Sequence, residues 1–361
     1  MCTIAGYIGN RRAVEVLVEM MRKEQFFDGG LSTGIATVHN GKLYTAKVMG
    51  DLDDLLKSTD ALNFPGNIGL IHSRPGANYQ SHAHPFTSND GNIAVVLNGT
   101  TIGINTPEFY KHSAGIMQGY LDRGFEIKTA YKPDDPKFDK YLLSNGLYYH
   151  DTEPYALMMG DFTSSSSEQT LKADMATAME RAISEIPIDM VLLALNKNLD
   201  DVITVGKTTR PMSVAFADGE AFLATCALAF PERARKGHVV HLPPTSISQV
   251  TPEGVNIIKT KLESIRVEDI SFKATSIMYQ RLEQLLLGQK DSPKSVYEIP
   301  AWDDMWSEPL IDSKFMLEGG KMKPKTDLVY RTLWNFELEG RLRSTLGEFD
   351  GERMTKFWLE K

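Results

Sequence analysis

Cysteine is almost absent from this chain of 361 residues, since only Cys2 and Cys226 occur. Two cysteines cannot build a disulfide framework, a zinc ribbon or a cysteine-ligated iron–sulfur site, and two unpaired thiols fit a reducing compartment. No run of 18 apolar residues occurs, and no basic stretch followed by an apolar run opens the chain, which argues against a membrane span and a signal peptide. The predicted location is therefore the cytoplasm.

An excess of positive charge is also lacking, because the formal net charge is -8 and the isoelectric point is about 5.6. This balance gives no electrostatic footprint for nucleic acid or for an anionic membrane surface, so neither partner is predicted. Internal repeats, coiled-coil heptads and low-complexity tracts are absent as well. The hydrophobic content of 42% is sufficient for a sizeable core.

Short apolar runs predict strands interleaved with pairs of helices. Asn40-Gly41 indicates the turn of a hairpin, and Thr106, Pro107 and Gly124 mark the N-cap, first position and stop of a helix. Because the strands do not alternate strictly with helices, the pattern favours antiparallel sheets with helices packed outside, an α+β fold.

The pattern changes near residue 265. Helical periodicity replaces the hairpin rhythm in stretches such as "TDLVYRTLWNFELEGRLRSTL". The last sixty residues also contain all four tryptophans, Trp302, Trp306, Trp334 and Trp358. We therefore predict two units, residues 2–262 and a smaller, mainly helical module over 263–361.

Cys2 is the first candidate catalytic residue. If Met1 is removed, Cys2 carries a nucleophilic thiol and an α-amino group with a pKa of about 8 in one residue, a combination suited to covalent catalysis. The alternative is a small apolar residue that opens a buried strand.

Two further motifs follow apolar runs that read as strands. Arg74 ends "IGLIHSR", where a guanidinium can bind a carboxylate through two hydrogen bonds; its alternative is a surface ion pair. His82 and His84 alternate as metal ligands can, but no third ligand follows at a suitable spacing, so no metal is predicted.

An Asn-Gly pair and an acidic pair complete the set. Asn98-Gly99 ends "AVVLNG", where a side-chain amide and a backbone N–H can stabilise an oxyanion, although Asn-Gly is also a common hairpin turn. Asp151 and Glu153 begin a short helix, where an acid can bind a substrate ammonium group or cap the helix.

The order of these motifs resembles the class II glutamine amidotransferases, most of all the glutaminase domain of glucosamine-6-phosphate synthase. The resemblance extends over residues 2 to 258 and includes "MCTIAGYIG", "LIHSR", "AHPF", "LNG" and "DTE". It implies the N-terminal-nucleophile hydrolase fold, a four-layer αββα sandwich, and it implies no cofactor.

The resemblance also implies a role for each residue. Cys2 would attack the γ-carboxamide of L-glutamine and form a thioester, releasing ammonia, while Asn98 and Gly99 form the oxyanion hole. Arg74 would bind the α-carboxylate and Asp151 the α-ammonium group, and His84 would shape the site.

The chain departs from the family pattern in several places. "RPGAN" differs from the usual loop at Pro75, Ala77 and Asn78, and Asp28 stands where an arginine is expected near the nucleophile. An insertion containing "KPDDPKFDKYLLSNG" separates Asn98 from Asp151.

Fewer residues follow than the sugar-isomerase domains of the resembled enzyme need. Either a separate synthase subunit, which is the expectation, accepts the ammonia, or the protein is a free-standing amidase. The tryptophan-rich module could dock that subunit or pack around its own tryptophans. Two alternatives stay open, namely a terminal-cysteine hydrolase acting on another amide and a non-catalytic regulatory or binding protein with the same fold. Homo-oligomerisation also stays open.

Overall fold

The computed structural model describes residues 2–76, 79–100, 106–260, 262, 265–267, 270–300, 302, 311–313 and 324–361. Strands form most of the interior. In chain order they are β1 (Thr3–Ile8), β2 (Ser32–His39), β3 (Lys42–Met49), β4 (Ile68–Arg74), β5 (Phe86–Thr87), β6 (Ile93–Thr100), β7 (Asp189–Asn196), β8 (Leu199–Lys207), β9 (Ser213–Ala217), β10 (Glu220–Ala224), β11 (His238–His241), β12 (Ser246–Thr251), β13 (Gly254–Thr260), β14 (Ile265–Val267), β15 (Ile311–Ser313), β16 (Leu342–Phe349) and β17 (Glu352–Leu359).

Helices cover the sheets. They are α1 (Ala13–Asp28), α2 (Leu52–Ser58), α3 (Pro107–Asp122), α4 (Glu153–Phe162), α5 (Leu171–Glu185), α6 (Glu232–Arg235), α7 (Phe272–Leu286) and α8 (Lys325–Leu338). In the described part of the chain, none of these helices combines the length and apolar character that crossing a bilayer requires.

Two antiparallel sheets form the centre of the molecule. The first has the strand order β11-β9-β10-β1-β4-β2-β3, and the second has the order β13-β12-β8-β7-β6-β5. The predicted hairpin joins β2 to β3, with Asn40 and Gly41 both at positive φ, 48° and 68°. The predicted N-cap is present too, because the Thr106 side chain accepts the Phe109 N–H at 3.1 Å.

Alternation along the strands separates four layers. In β1, Ile4 and Ile8 face the second sheet, whereas Ala5 and Tyr7 face α1. In β6 the odd-numbered apolar residues pack beneath the helices of the other side, mainly α4 and α5. Since successive side chains of a strand point to opposite faces, each sheet buries both of its faces. The predicted α+β, four-layer αββα sandwich is therefore confirmed.

The carboxy-terminal part packs on the outside of α1. Apolar residues of α7, α8 and β17 belong to the same core as those of α1, among them Leu282, Leu333, Trp334 and Phe357. The helical expectation fails after Leu338, where Gly340 at φ 73° ends the helix and residues 342–359 form the hairpin β16–β17. The positive φ at Gly340 redirects the chain, since only glycine adopts it without steric cost.

A buried ion pair joins α8 to the second sheet. Lys207, which is fully buried at the end of β8, donates to Asp327 at 2.9 Å and to the Leu242 carbonyl at 2.8 Å. Arg331 donates to the same carboxylate at 2.8 Å. The carboxy-terminal part is thus attached to the sandwich through both apolar packing and a compensated buried charge.

Candidate active site

Strand alternation brings the predicted residues to one end of the gap between the sheets. Ile4 of β1 and Val96 of β6 both face into the gap. Cys2 and Asn98 each lie two residues from one of them, so they face the same way. Arg74 is the last residue of β4. The register Thr3↔Ser73 places Cys2 next to Arg74 on neighbouring strands. Two positions far apart in sequence, 2 and 98, therefore meet across the sheets.

The contact between Cys2 and Asn98 fixes the centre of the site. The backbone nitrogen of Cys2 donates to Asn98 Oδ1 at 3.1 Å, and the Asn98 side chain is buried. Because Oδ1 accepts this bond, the amide group Nδ2 is the donor end of the side chain. Gly99 is the next residue of β6. A Cβ atom at this position would lie 3.0 Å from the Asp189 carbonyl oxygen, so β6 and β7 approach closely here.

Charged groups surround the Cys2 thiol. Burial raises the pKa of the thiol, the guanidinium groups of Arg74 and Arg210 lower it, and the carboxyl group of Asp28 raises it. Arg210 forms an ion pair with Asp189 at 2.8 Å beside β7. Position 28 thus carries a carboxyl group, and one of the cations near the thiol comes from the loop that joins β8 to β9.

Asp28 ends α1 and is 1% exposed. Tyr297, from the carboxy-terminal part, donates its hydroxyl to Asp28 Oδ1. Burial raises the pKa of the Asp28 carboxyl to about 6. A residue of the carboxy-terminal part therefore reaches the neighbourhood of Cys2.

Arg74 is held by two acceptors on one edge of its guanidinium. Its Nη1 donates to the His82 carbonyl at 3.1 Å and to His150 Nε2 at 2.5 Å. Its buried Nε finds no hydrogen-bond partner among the described residues. A buried donor without a partner is costly, so the Nε edge of Arg74 is suited to receive an anionic oxygen.

His150 connects Arg74 to Asp151. Its Nδ1 lies 3.0 Å from Asp151 Oδ1, and burial, together with the charge of Arg74, holds the imidazole pKa well below its usual range. The backbone N–H of Thr152 also donates to His150 Nδ1, at 3.2 Å, so the ring is held by Arg74 on one side and by the start of α4 on the other. Asp151 and Arg74 are therefore positioned by the same ring.

His84 lies behind this pair and is buried. Its Nε2 contacts Thr152 Oγ1 at 3.2 Å, and its ring lies 3.8 Å from the His72 ring, measured between centroids. Burial keeps the pKa of both imidazoles well below the usual range, and His72 Nε2 lies 3.1 Å from the Leu97 carbonyl. Within the described residues no group of three or more His, Cys, Asp or Glu side chains is placed to hold a metal ion.

A cavity of about 420 Å³ opens beside Arg74 and Asp151. Its other walls are largely aromatic, with Tyr131, Phe138 and Tyr148 among them. Cys2, Asn98 and Gly99 do not line it.

All six predicted site residues lie at this end of the sandwich, but their roles stay predictions. Sequence reasoning missed four further residues. His72 could have been found, because it shares the phase of Arg74 on β4; His150, Arg210 and Tyr297 carried no comparable signal. Met1, Ala77 and Asn78 lie outside the described residues.

Comparison with known proteins identifies relatives of this chain. The glutamine–fructose-6-phosphate aminotransferase of Synechocystis sp. is 24% identical over 306 residues, which cover 83% of this chain and 43% of the relative. The enzyme of the same name from Pyrococcus horikoshii is 43% identical over 102 residues, or 27% of this chain and 17% of the relative. The chain is a homologue of these aminotransferases. The resemblance and the enzyme class predicted from the motifs are thereby confirmed.

This homologue spans about two-fifths of the length of the first two curated relatives, and no protein-family model matches it. Among solved structures, the glutamine phosphoribosylpyrophosphate amidotransferase of B. subtilis superposes with a TM-score of 0.54 at 17% identity, covering 78% of this chain and 58% of that one. An allosteric regulatory enzyme of purine biosynthesis gives a TM-score of 0.53 at 15% identity, covering 79% and 58%. These superpositions confirm the N-terminal-nucleophile hydrolase fold.

Proposed function

We propose that the chain hydrolyses L-glutamine to glutamate and ammonia through a thioester on Cys2, and that a separate acceptor enzyme takes the ammonia. The observation that carries the proposal is the 3.1 Å hydrogen bond from the Cys2 nitrogen to Asn98 Oδ1. It places a side-chain amide, followed directly by a glycine N–H, beside the one thiol that removal of Met1 would make N-terminal.

In the proposed reaction the Cys2 sulfur attacks the γ-carbonyl carbon of glutamine. The α-amino group of Cys2, acting through water, takes the thiol proton and passes it to the leaving nitrogen. The C–N bond breaks, ammonia leaves, and water then cleaves the thioester to give glutamate. Asn98 Nδ2 and the Gly99 N–H stabilise the oxyanion in both halves, and losing one such donor typically costs about 100- to 1,000-fold in turnover.

Arg74 and Asp151 hold the amino-acid end of the substrate in this proposal. The unpartnered Nε edge of Arg74 accommodates the α-carboxylate, while Asp151, half exposed beside His150, accepts the α-ammonium group. His84 is neutral and buried, which supports a role in shaping the site rather than in proton transfer.

The proposal of a separate acceptor rests on the family. The relatives are named as aminotransferases that use glutamine and fructose 6-phosphate, and this chain matches about two-fifths of their length. In this proposal the ammonia produced at Cys2 is consumed at a second active site, which belongs to the acceptor enzyme.

Mass spectrometry of the intact protein tests the proposal, before and after treatment with 6-diazo-5-oxo-L-norleucine and alongside a glutamate-release assay. We expect a mass without Met1, one adduct that is lost in Cys2→Ala, and glutamate release by the wild type only. Retained Met1, or a free terminal Cys2 that forms no adduct and releases no glutamate, would contradict it. Hydrolysis of another amide would then indicate a different Ntn hydrolase, and ligand binding without turnover a regulatory protein.

A further inference from the structure

The cavity beside Arg74 and Asp151 is lined by charged and by aromatic side chains. Arg74 and Asp151 are its charged residues, and Tyr110, Tyr131 and Phe138 are among its aromatic ones. Its volume of about 420 Å³ lies within the range of cavities that enclose small organic ligands, which is roughly 300 to 1,000 Å³. An amino-acid head group alone does not require the aromatic part of this wall.

Part of the aromatic wall comes from the insertion that separates Asn98 from Asp151. Tyr131 and Tyr148 exchange backbone hydrogen bonds of 2.9 and 2.7 Å, which close the inserted segment into a loop. The Phe138 ring then packs against Tyr148, with 4.9 Å between centroids, and against Tyr110 at 5.5 Å. The wall is therefore held in place by its own contacts.

The position of Arg74 sets the direction of the cavity relative to the nucleophile. Arg74 is next to Cys2 in the strand register and also lines the cavity, whereas Cys2, Asn98 and Gly99 do not. A substrate whose γ-carboxamide lies at Cys2 and whose α-carboxylate lies at Arg74 thus points its α-end, and not its leaving nitrogen, toward the aromatic wall.

The two polar anchors differ in what they need from a ligand. The buried Nε of Arg74 has no partner among the described residues, so it favours a ligand that keeps its α-carboxylate. Asp151 is half exposed and already lies 3.0 Å from His150 Nδ1, so an amide N–H suffices there in place of an ammonium group.

We propose that the cavity binds an aromatic or other apolar acyl group on the α-nitrogen of glutamine, so that an N-acylglutamine is a better substrate than glutamine itself. This inference rests on the proposed glutaminase reaction. The bonds made and broken are unchanged: the γ-amide C–N bond is cleaved, water supplies the new oxygen, ammonia leaves, and the acyl group stays attached.

Steady-state ammonia release tests the inference with L-glutamine, N-acetyl-L-glutamine and N-phenylacetyl-L-glutamine. We expect kcat/KM for the phenylacetyl compound to exceed that for L-glutamine, and to exceed that for the acetyl compound by about tenfold, the size expected for burying one ring. Equal values would overturn the inference. L-γ-Glutamyl-4-nitroanilide has its ring on the leaving nitrogen, and its cleavage is followed as release of 4-nitroaniline. A gain seen only with this compound would also overturn the inference.

A wall variant and a matched control locate the effect. Phe138→Ala should lower the phenylacetyl-to-acetyl ratio about two- to tenfold, as expected for the loss of aromatic contacts. Tyr44→Ala removes a half-buried ring at a distant site, packed on Phe64, and should leave the ratio unchanged. The same ratio in Phe138→Ala as in the wild type would place the acyl group elsewhere.

Calorimetric titration of the Cys2→Ala variant separates failure of the inference from failure of the proposed function. Tighter binding of N-phenylacetyl-L-glutamine than of N-acetyl-L-glutamine, with no amide hydrolysed by the wild type, would retain the binding site and reject the glutaminase. Hydrolysis of glutamine by the wild type, with equal binding of the two acyl compounds, would retain the glutaminase and reject the acyl-binding site.

Discussion

At the scale of single residues, Asp28 combines deep burial with an ionisable group. Its folded-state pKa is about 6, well above the 3.9 of an unfolded aspartate. The folded protein therefore binds a proton that the unfolded chain has lost between about pH 4 and pH 6. The stabilisation that this proton provides is complete below pH 4 and disappears as the pH rises through 6.

Asp28→Asn should remove this pH dependence, since asparagine does not titrate and can still accept the Tyr297 hydroxyl. We expect the free energy of unfolding of the variant, relative to the wild type, to rise by up to about 3 kcal/mol between pH 4 and pH 7. Urea unfolding of both proteins across that range measures it. A difference that stays constant with pH would mean that Asp28 titrates normally.

At the scale of elements, β6 and β7 approach closely at Asn98 and Gly99, the proposed oxyanion donors. Gly99→Ala would place a Cβ atom 3.0 Å from the Asp189 carbonyl oxygen and 2.7 Å from the Leu97 side chain. The Leu97 side chain can turn aside, but the contact with the Asp189 carbonyl is tight, so we expect β6 to move by a few tenths of an ångström and to carry Asn98 with it. We expect glutamate release to fall about 100-fold or more, at a stability cost of about 1 to 3 kcal/mol.

Gly254→Ala is the matched control, because Gly254 is also a strand residue and has open space around its Cβ position. Activity assays and denaturant unfolding of the two variants should separate local displacement from a general loss of stability. Full activity of Gly99→Ala would show that the spacing of β6 and β7 does not position Asn98.

At the scale of the whole molecule, the pair Lys207–Asp327 joins the carboxy-terminal part to the sandwich. Asp327→Asn leaves the Lys207 ammonium buried without its anion, so we expect a loss of about 3 to 5 kcal/mol in the free energy of unfolding at pH 7. Burial already lowers the Lys207 pKa to about 8, and removing Asp327 lowers it further. The loss should therefore shrink as the pH rises to 8 and stay constant above it, where Lys207 is neutral in both folded proteins.

Denaturant unfolding of Asp327→Asn at pH 7 and pH 9 measures both effects. The double variant Lys207→Met/Asp327→Leu removes both charges and should recover most of the stability. A single variant as stable as the wild type would mean that the buried pair contributes nothing to the attachment of α8.

The sequence predicted much of the architecture and the six candidate residues, because both depend on local patterns. Period-two alternation puts Cys2 and Arg74 in phase with the core residues of their strands, and the motif order supplied the family. Tyr297 and Arg210 could not be found this way. They reach the neighbourhood of the nucleophile only through tertiary packing, Tyr297 from 269 residues beyond Asp28. The hairpin β16–β17 was missed because Gly340 interrupts a helical pattern whose composition continues unchanged.

The place of β1 and β4 within the first sheet has a consequence for how long the active-site geometry lasts. Both strands are paired on both sides, so their amide hydrogens should exchange only when the whole domain opens. The separation of the thiol from the Arg74 guanidinium is then as durable as the fold, which in small domains persists for up to days. The inserted segment between Asn98 and Asp151 does not belong to β1 or β4. A change in that segment could therefore alter the proposed substrate preference without moving Cys2 or Arg74.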